Sequence, residues 1–217
     1  MILYDSWIKD HPLDDGRKWW VLGKGPSLDR YTEFVGPHDL AIGLNDVCLI
    51  HHVFMSHVID ADAVTRVGRG SFDYLVVPYY LHVNNLPASD RPIPYYLKAC
   101  RENDEPVAKV LRCAATAKRL LVYRSSLCGR IPHPAGIGKP LTTVNFSSEP
   151  ATELLLRGGV RDINLLGIDG GIDYSKSFSD LTPLTNGVKS FDVQFEILRK
   201  LAQKYQAKLH HPLKEIV

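Results

Sequence analysis

The sequence predicts an α/β domain on a mostly parallel sheet covered by helices on both faces. Three observations predict it. Short apolar runs alternate with stretches of helical spacing along the 217 residues. The runs are continuous rather than alternating, as in strands buried on both sides. Several of them also close on turn-forming or acidic residues: Gly23 to Ser27, Asn45-Asp46, Asp60 to Asp62, Pro78 to Tyr80 and Asp169 to Tyr174. In a Rossmann-like sheet of this kind, ligands sit outside the carboxyl ends of the strands, so these stretches are where chemistry is sought.

Residues 1–17 read as a loosely structured lead-in, with Asp14, Asp15 and Gly16 marking a turn. The first strand spans about residues 19–23, and a helix over about 27–35 follows it, stopped by Gly36-Pro37. Leu40 to Leu44, His52 to Ile59 and Phe72 to Val77 are further strands, with a short helix from Ala61 to Val67. Residues 78–94 carry Pro78, Pro87, Pro92 and Pro94 and read as an irregular loop, with a helix over Tyr95 to Glu102. A strand spans Arg119 to Tyr123, and the Gly- and Pro-rich residues 128–140 form no regular element. Ser148 to Leu156 is a helix and Asp162 to Gly167 a buried strand. A polar, turn-rich stretch, 170–188, precedes a long amphipathic helix over Ser190 to Tyr205 and a last strand over Ala207 to His211. The whole reads as one nucleotide-binding α/β domain, residues 1–217, with a short lid-like insertion at 170–188.

Composition narrows the function classes. A formal net charge of +2 makes no case for a nucleic-acid partner. No apolar run approaches the roughly 20 residues that span a bilayer. The first residues lack the layout of a signal peptide. Cys48, Cys100, Cys113 and Cys128 are scattered, indicating neither a zinc site nor a disulfide framework. A reduced, cytoplasmic setting fits, and peripheral contact with the inner face of a membrane is compatible with it. Among the nine histidines, His51, His52, His57, His210 and His211 form close groups. Neighbours on a strand point to opposite faces, so adjacent pairs do not make one metal site. His133 lies beside Arg130 and Lys139 in the Gly/Pro loop, where it can serve as a base or be plain surface. Tyr79, Tyr80, Tyr95 and Tyr96 can stack on a ligand or line the long loop.

The most informative stretch is Gly23-Lys24-Gly25-Pro26-Ser27-Leu28. Glycines permit a tight turn and close approach of backbone to ligand. Pro26 suits a first helical turn, and the first amides of a helix suit a phosphate. The stretch predicts a phosphate cradle, with Lys24 adding charge. It is neither a Walker A motif nor the dinucleotide fingerprint. The alternative is a strand-to-helix turn that binds nothing. Asp169, at a strand end and followed by Gly170 and Gly171, faces a ligand or forms the turn. Asp60 and Asp62 either bind Mg2+ beside a triphosphate or cap a helix.

This stretch after a strand, with Asn45 after the next, resembles the start of the bacterial CMP-sialic-acid-dependent sialyltransferases of glycosyltransferase family 42. Downstream, Ser147-Ser148, a helix and Gly159-Val-Arg-Asp-Ile-Asn-Leu-Leu-Gly-Ile-Asp169 resemble that family's second block. Archaeal 6-hydroxymethylpterin pyrophosphokinase-like proteins carry similar blocks. The resemblance implies a nucleotide site at Gly23, Lys24, Gly25, Pro26, Ser27, Asn45, Ser147, Ser148 and Gly170, with Asp169 on its floor. It implies that Tyr174 steadies a departing phosphate. The family's histidine base precedes the last helix; here that place reads Asn186-Gly-Val-Lys189, so Lys189 is the nearest titratable group. The implied reaction is glycosyl transfer from a CMP-sugar or related nucleotide sugar to a glycan or small-molecule acceptor, with no required cofactor. The pyrophosphokinase likeness implies instead Mg2+-dependent diphosphate transfer from ATP, with Asp60, Asp62 or Asp169 holding the metal. A non-catalytic, nucleotide-binding relative is the third reading.

Overall fold

The computed structural model describes residues 1–83, 91–98, 105–126, 137–181 and 189–215. Eight parallel strands among them form one sheet. They are β1 (Ile2–Leu3), β2 (Trp19–Leu22), β3 (Leu40–Leu44), β4 (Val53–His57), β5 (Phe72–Pro78), β8 (Leu120–Tyr123), β9 (Asp162–Leu166) and β10 (Lys208–His210). A two-stranded antiparallel ribbon, β6 (Tyr80–Leu81) with β7 (Arg91–Pro92), stands apart from the sheet. The helices are α1 (Tyr4–Asp10), α2 (Tyr31–Phe34), α3 (Ala61–Val67), α4 (Ile93–Lys98), α5 (Pro106–Thr116), α6 (Ser148–Arg157) and α7 (Gln194–Tyr205).

The sheet order is β1-β8-β5-β4-β3-β2-β9-β10. From β2 the chain steps outward through β3, β4 and β5 to β8, then crosses back to β9 and β10 on the other side of β2. The carboxyl ends of β2 and β9 therefore flank a topological switch point, where loops diverge and leave a crevice.

Alternation along each strand divides the core. Trp20 and Leu22 pack with Val64 of α3 and Leu111 of α5 on one face. Trp19 and Val21 pack with Trp7 of α1, Leu155 of α6 and Leu198 of α7 on the other. Burial of both faces explains why the strands read as continuous apolar runs.

Several expectations need correction. Residues 2–10 are not a loose lead-in: β1 pairs with β8, and the Tyr4 hydroxyl donates to the Leu154 carbonyl at 2.7 Å. The helix expected over 27–35 is a 3-10 turn, Pro26–Arg30, followed by the four-residue α2. α5 was not expected at all. The proline-rich 78–94 stretch contains the β6–β7 ribbon and the start of α4, with Tyr79 and Tyr96 buried. His133, Arg130, Cys100, Cys128, Pro87 and the end of the lid-like insertion, residues 182–188, lie outside the described residues. No helix among the described residues is long and apolar enough to cross a membrane.

Candidate nucleotide-binding cleft

A cleft of about 770 Å³ opens at the switch point. The exits of β2, β3, β4 and β9 form its floor: Gly23 to Gly25, Leu44-Asn45, Asp60 and Gly167 to Gly170. Residues 143–148 with Tyr174, Phe191 and Gln194 line it as well. Glu149, fully buried in α6, holds the 143–148 segment by accepting the amides of Val144 and Asn145. Ser148 Oγ donates to Gln194 Oε1 at 2.7 Å, tying α6 to the start of α7.

The β2 exit is not the predicted cradle of free amides. The Gly23 amide donates to Leu166 O at 2.8 Å and the Gly25 amide to Gly167 O at 2.8 Å. The Ser27 amide donates to Asp169 Oδ2 at 2.9 Å, and Ser27 Oγ accepts from the Gly167 amide at 2.6 Å. The anion at this turn is the protein's own carboxylate. The glycines are required by crowding: a Cβ on Gly23 would stand 2.3 Å from Gly167 O, and one on Gly25 2.4 Å from Asp169 Oδ2. Pro26 is exposed and Ser27 buried, and neither lines the cleft.

Asp169 borders the cleft with both oxygens engaged. His211 Nε2 stands 3.1 Å from Oδ1, while the Leu213 amide donates to His211 Nδ1 at 3.2 Å. That leaves the imidazole proton on Nε2, close to the carboxylate but not aligned for a hydrogen bond to it. Burial would raise the Asp169 pKa, but the His211 and Ser27 contacts outweigh it and hold the carboxyl below its usual range. Asp169 is thus a tie between β9, the β2 exit and the C-terminal strand. Gly170 lines the cleft beside it at φ +74.

Lys24 and Asn45 are placed differently. The Lys24 ammonium sits 5.3 Å from the Tyr174 ring centroid and 3.4 Å from Asp46 Oδ2. Arg66 Nε binds the other Asp46 oxygen at 2.7 Å. Burial pushes the Lys24 pKa down, while Asp46 pulls the other way. For Asp46, burial is opposed and outweighed by Arg66 and Lys24, which hold it below the usual carboxylate range. Asn45 adopts φ 51, a left-handed conformation uncommon outside glycine, and its Oδ1 is buried with no hydrogen-bond partner. A buried acceptor without a donor is costly, so a ligand hydroxyl or amine has a place to bind.

The rings of Tyr174, Phe191 and Phe146 form a continuous wall, with centroids 5.6 Å and 5.4 Å from that of Phe191. Ser147 and Ser148 stand at the start of α6, where the Glu149 amide already donates to Phe146 O and Pro150 has none to offer.

No family model and no curated protein matches this sequence. Solved structures do. A variant of the alpha-2,3/8-sialyltransferase CstII matches at TM-score 0.47 and 14% identity, over 90% of this chain and 81% of that one. The sialyltransferase CST-II in complex with trisaccharide acceptor and CMP matches at 0.45 and 13%, over 90% and 80%. Thiamine pyrophosphokinase from Bacillus subtilis matches at 0.37 and 14%, over 90% of this chain and 59% of that one. At these scores the function must be argued from the cleft's own residues.

The fold brings Lys24, Asn45, Ser147, Ser148, Asp169, Gly170 and Tyr174 to one cleft. Lys189 is not among them: its side chain is exposed and lines no part of it. Asp60 and Asp62 do line it. Burial, with the Asp62 charge adding to it, pushes the Asp60 pKa up, and Lys24 and Arg66 already supply cations nearby. No group of three metal-ligating side chains converges among the described residues. Of the other histidines, His51 stacks on Tyr31, His52 and His210 are exposed beside Asp73 and Asp162, and His57, fully buried, bonds the Tyr123 hydroxyl at 2.9 Å with its pKa pushed down to about 3 by burial.

Sequence reading missed Arg66, His82, Phe146, Phe191 and Gln194. Arg66 follows Asp62 at a spacing of one helical turn, a signal present in the sequence. His82 gives no such signal, since only the fold brings it beside Asp60.

Proposed function

We propose that this protein is a nucleotide-sugar-dependent glycosyltransferase, with a CMP-sugar as donor and a glycan or glycan precursor as acceptor. One observation carries the reading. A half-buried lysine and an unpartnered asparagine oxygen share the cleft at the switch point. Together they answer the two polar parts of a nucleotide.

In this reading Lys24 receives the phosphate beside the start of α6, where Ser147 and Ser148 line the cleft. Asn45 Oδ1 accepts a hydrogen bond from a ribose hydroxyl. The Phe146, Phe191 and Tyr174 rings offer a face to the base. As the bond from sugar to phosphate breaks, negative charge grows on the phosphate oxygen. Lys24, fixed between Asp46 and the Tyr174 ring, is preorganised to stabilise that charge, and the Tyr174 hydroxyl donates to it. Burial, with Asp46 adding to it, pushes the Tyr174 pKa up, so its proton stays in place for that bond. No cofactor enters this scheme.

The test is a calorimetric titration of CMP, CMP-sialic acid, UDP-glucose, GDP-mannose and ATP, each with EDTA and with Mg2+. CMP or CMP-sialic acid is expected to bind equally well in EDTA. Binding of ATP alone, and only with Mg2+, would move the assignment to diphosphate transfer. No binding of any nucleotide would overturn both.

A further inference from the structure

The donor half of the proposed reaction occupies Lys24, Asn45, Tyr174 and the start of α6, and leaves the acceptor's proton without a destination. An acceptor hydroxyl is a weak nucleophile until a base removes that proton. Lys189 lies outside the cleft, and both Asp169 oxygens face partners of their own.

We propose that His82 is the general base that takes the acceptor's proton, and that Asp60 is its positioning residue. The assignment rests on the glycosyl-transfer reading above. Among the described residues lining the cleft, His82 is the sole imidazole. Its backbone is pinned at the end of β4. The His82 amide donates to Ile59 O at 3.1 Å, and the Ala61 amide donates to His82 O at 2.9 Å. Those bonds bridge His82 to Asp60, whose side chain also lines the cleft and interacts electrostatically with the imidazole. Asp62, Arg66 and Lys24 are the other charged groups that act on Asp60. Asp60 precedes α3 yet makes no side-chain cap to it, so its carboxylate is not committed to the helix.

Lys24 reaches from the β2 exit to Asp46 at the β3 exit, and its charge, like the His82 imidazole, acts on Asp60. A phosphate on Lys24 and a base at the β4 exit therefore share one end of the cleft. The step balances there. The acceptor O–H gives its proton to His82, and the acceptor oxygen forms a bond to the anomeric carbon. The bond from that carbon to the phosphate oxygen breaks, and its electron pair leaves with CMP.

The experiment follows CMP release from CMP-sialic acid, with water or lactose as acceptor, in the wild-type chain and in His82→Ala, His82→Gln and Asp60→Asn. Calorimetry with CMP reports folding and donor binding for each. Both His82 variants are expected to keep CMP affinity within about twofold and lose about 10²–10⁴-fold in kcat. Added imidazole should restore part of the His82→Ala rate and saturate. Asp60→Asn is expected to lower kcat about tenfold with the donor KM unchanged, a split that loss of structure would not produce. A His82→Ala rate within about twofold of wild type, or no response to imidazole, overturns the assignment while leaving the transfer reading intact. A wild-type chain that binds CMP yet releases none from CMP-sialic acid overturns both.

Discussion

Neighbouring strand exits in this sheet do opposite things. At the β2 exit the amides of Gly23, Gly25 and Ser27 and the Ser27 hydroxyl bond to the end of β9 and to Asp169. The backbone there is closed on itself. At the β3 and β4 exits, Asn45 holds a left-handed conformation with its side-chain Oδ1 unpartnered, and Asp60 is pushed toward its neutral form. Those groups carry a free-energy cost that a bound hydrogen-bond partner would relieve. Glycines in such a turn record how closely two strands approach. The left-handed asparagine and the buried carboxylate mark the exits where the proposed ligand would bind.

If the β2 exit is closed, filling it should be the most damaging change available. Gly23→Ala would drive a Cβ into Gly167 O, which is backbone and cannot rotate away. The expected loss is about 3 kcal/mol or more, read from urea denaturation, or no folded protein at all. A loss below about 1 kcal/mol would mean the two strand ends are not wedged together. Asp169→Asn comes next. The amide can keep one oxygen for Ser27, but its NH2 would then face the His211 Nε2 proton. The expected cost is about 2 kcal/mol, with CMP affinity nearly unchanged. A large fall in affinity at intact stability would instead place Asp169 in the binding machinery.

The closed and open exits also differ in how far they could be read from sequence. Strands β3, β4, β5, β8 and β9 were legible because burial on both faces leaves mostly apolar residues. β1 was not, since a two-residue edge strand shows no run, and the buried Tyr4 and Trp7 of α1 are interleaved with Asp5, Lys9 and Asp10. The turn after β2 was misread for a related reason. Leu28, Tyr31 and Phe34 recur every third residue, which is the 3-10 period rather than 3.6. The cluster of candidate residues was recognised, but which amides were already taken depends on Gly167 and Asp169, far along the chain. His82 was invisible because its partner Asp60 is met only through a tertiary bridge.

For side chains that reach the open exits, as Lys24 does from β2 to Asp46, effects should appear in binding before stability. Lys24→Ala should weaken CMP about tenfold, a loss of ~1.4 kcal/mol, while Arg66 keeps Asp46 paired. Equal affinity in the variant would remove Lys24 from the phosphate. Asn45→Gly separates two properties of one residue. Glycine adopts φ 51 without strain, so stability should hold or rise by up to about 1 kcal/mol. The lost carbonyl oxygen should weaken CMP about fivefold, or ~1 kcal/mol. A variant that binds as tightly as wild type would show that the conformation, not the oxygen, matters.

The smallest effect on stability is the sharpest test of the comparison, because its sign opposes that of Asp169→Asn. The folded-state pKa of Asp60 is raised by burial above its unfolded value. Near neutral pH the folded protein therefore holds a charge that the unfolded chain accommodates more easily. That penalty is present above the folded pKa and fades as pH falls toward the unfolded value near 4. Asp60→Asn removes it, so the variant should be slightly more stable than wild type at pH 7, by about 0.5 kcal/mol, and lose that advantage in acid. The same substitution is expected to slow glycosyl transfer. A gain in stability paired with a loss in rate is what a carboxylate held for function against its own solvation should produce. A carboxylate that merely stabilised the β4 exit would lose stability on substitution, and the distinction between the two exits would fail there.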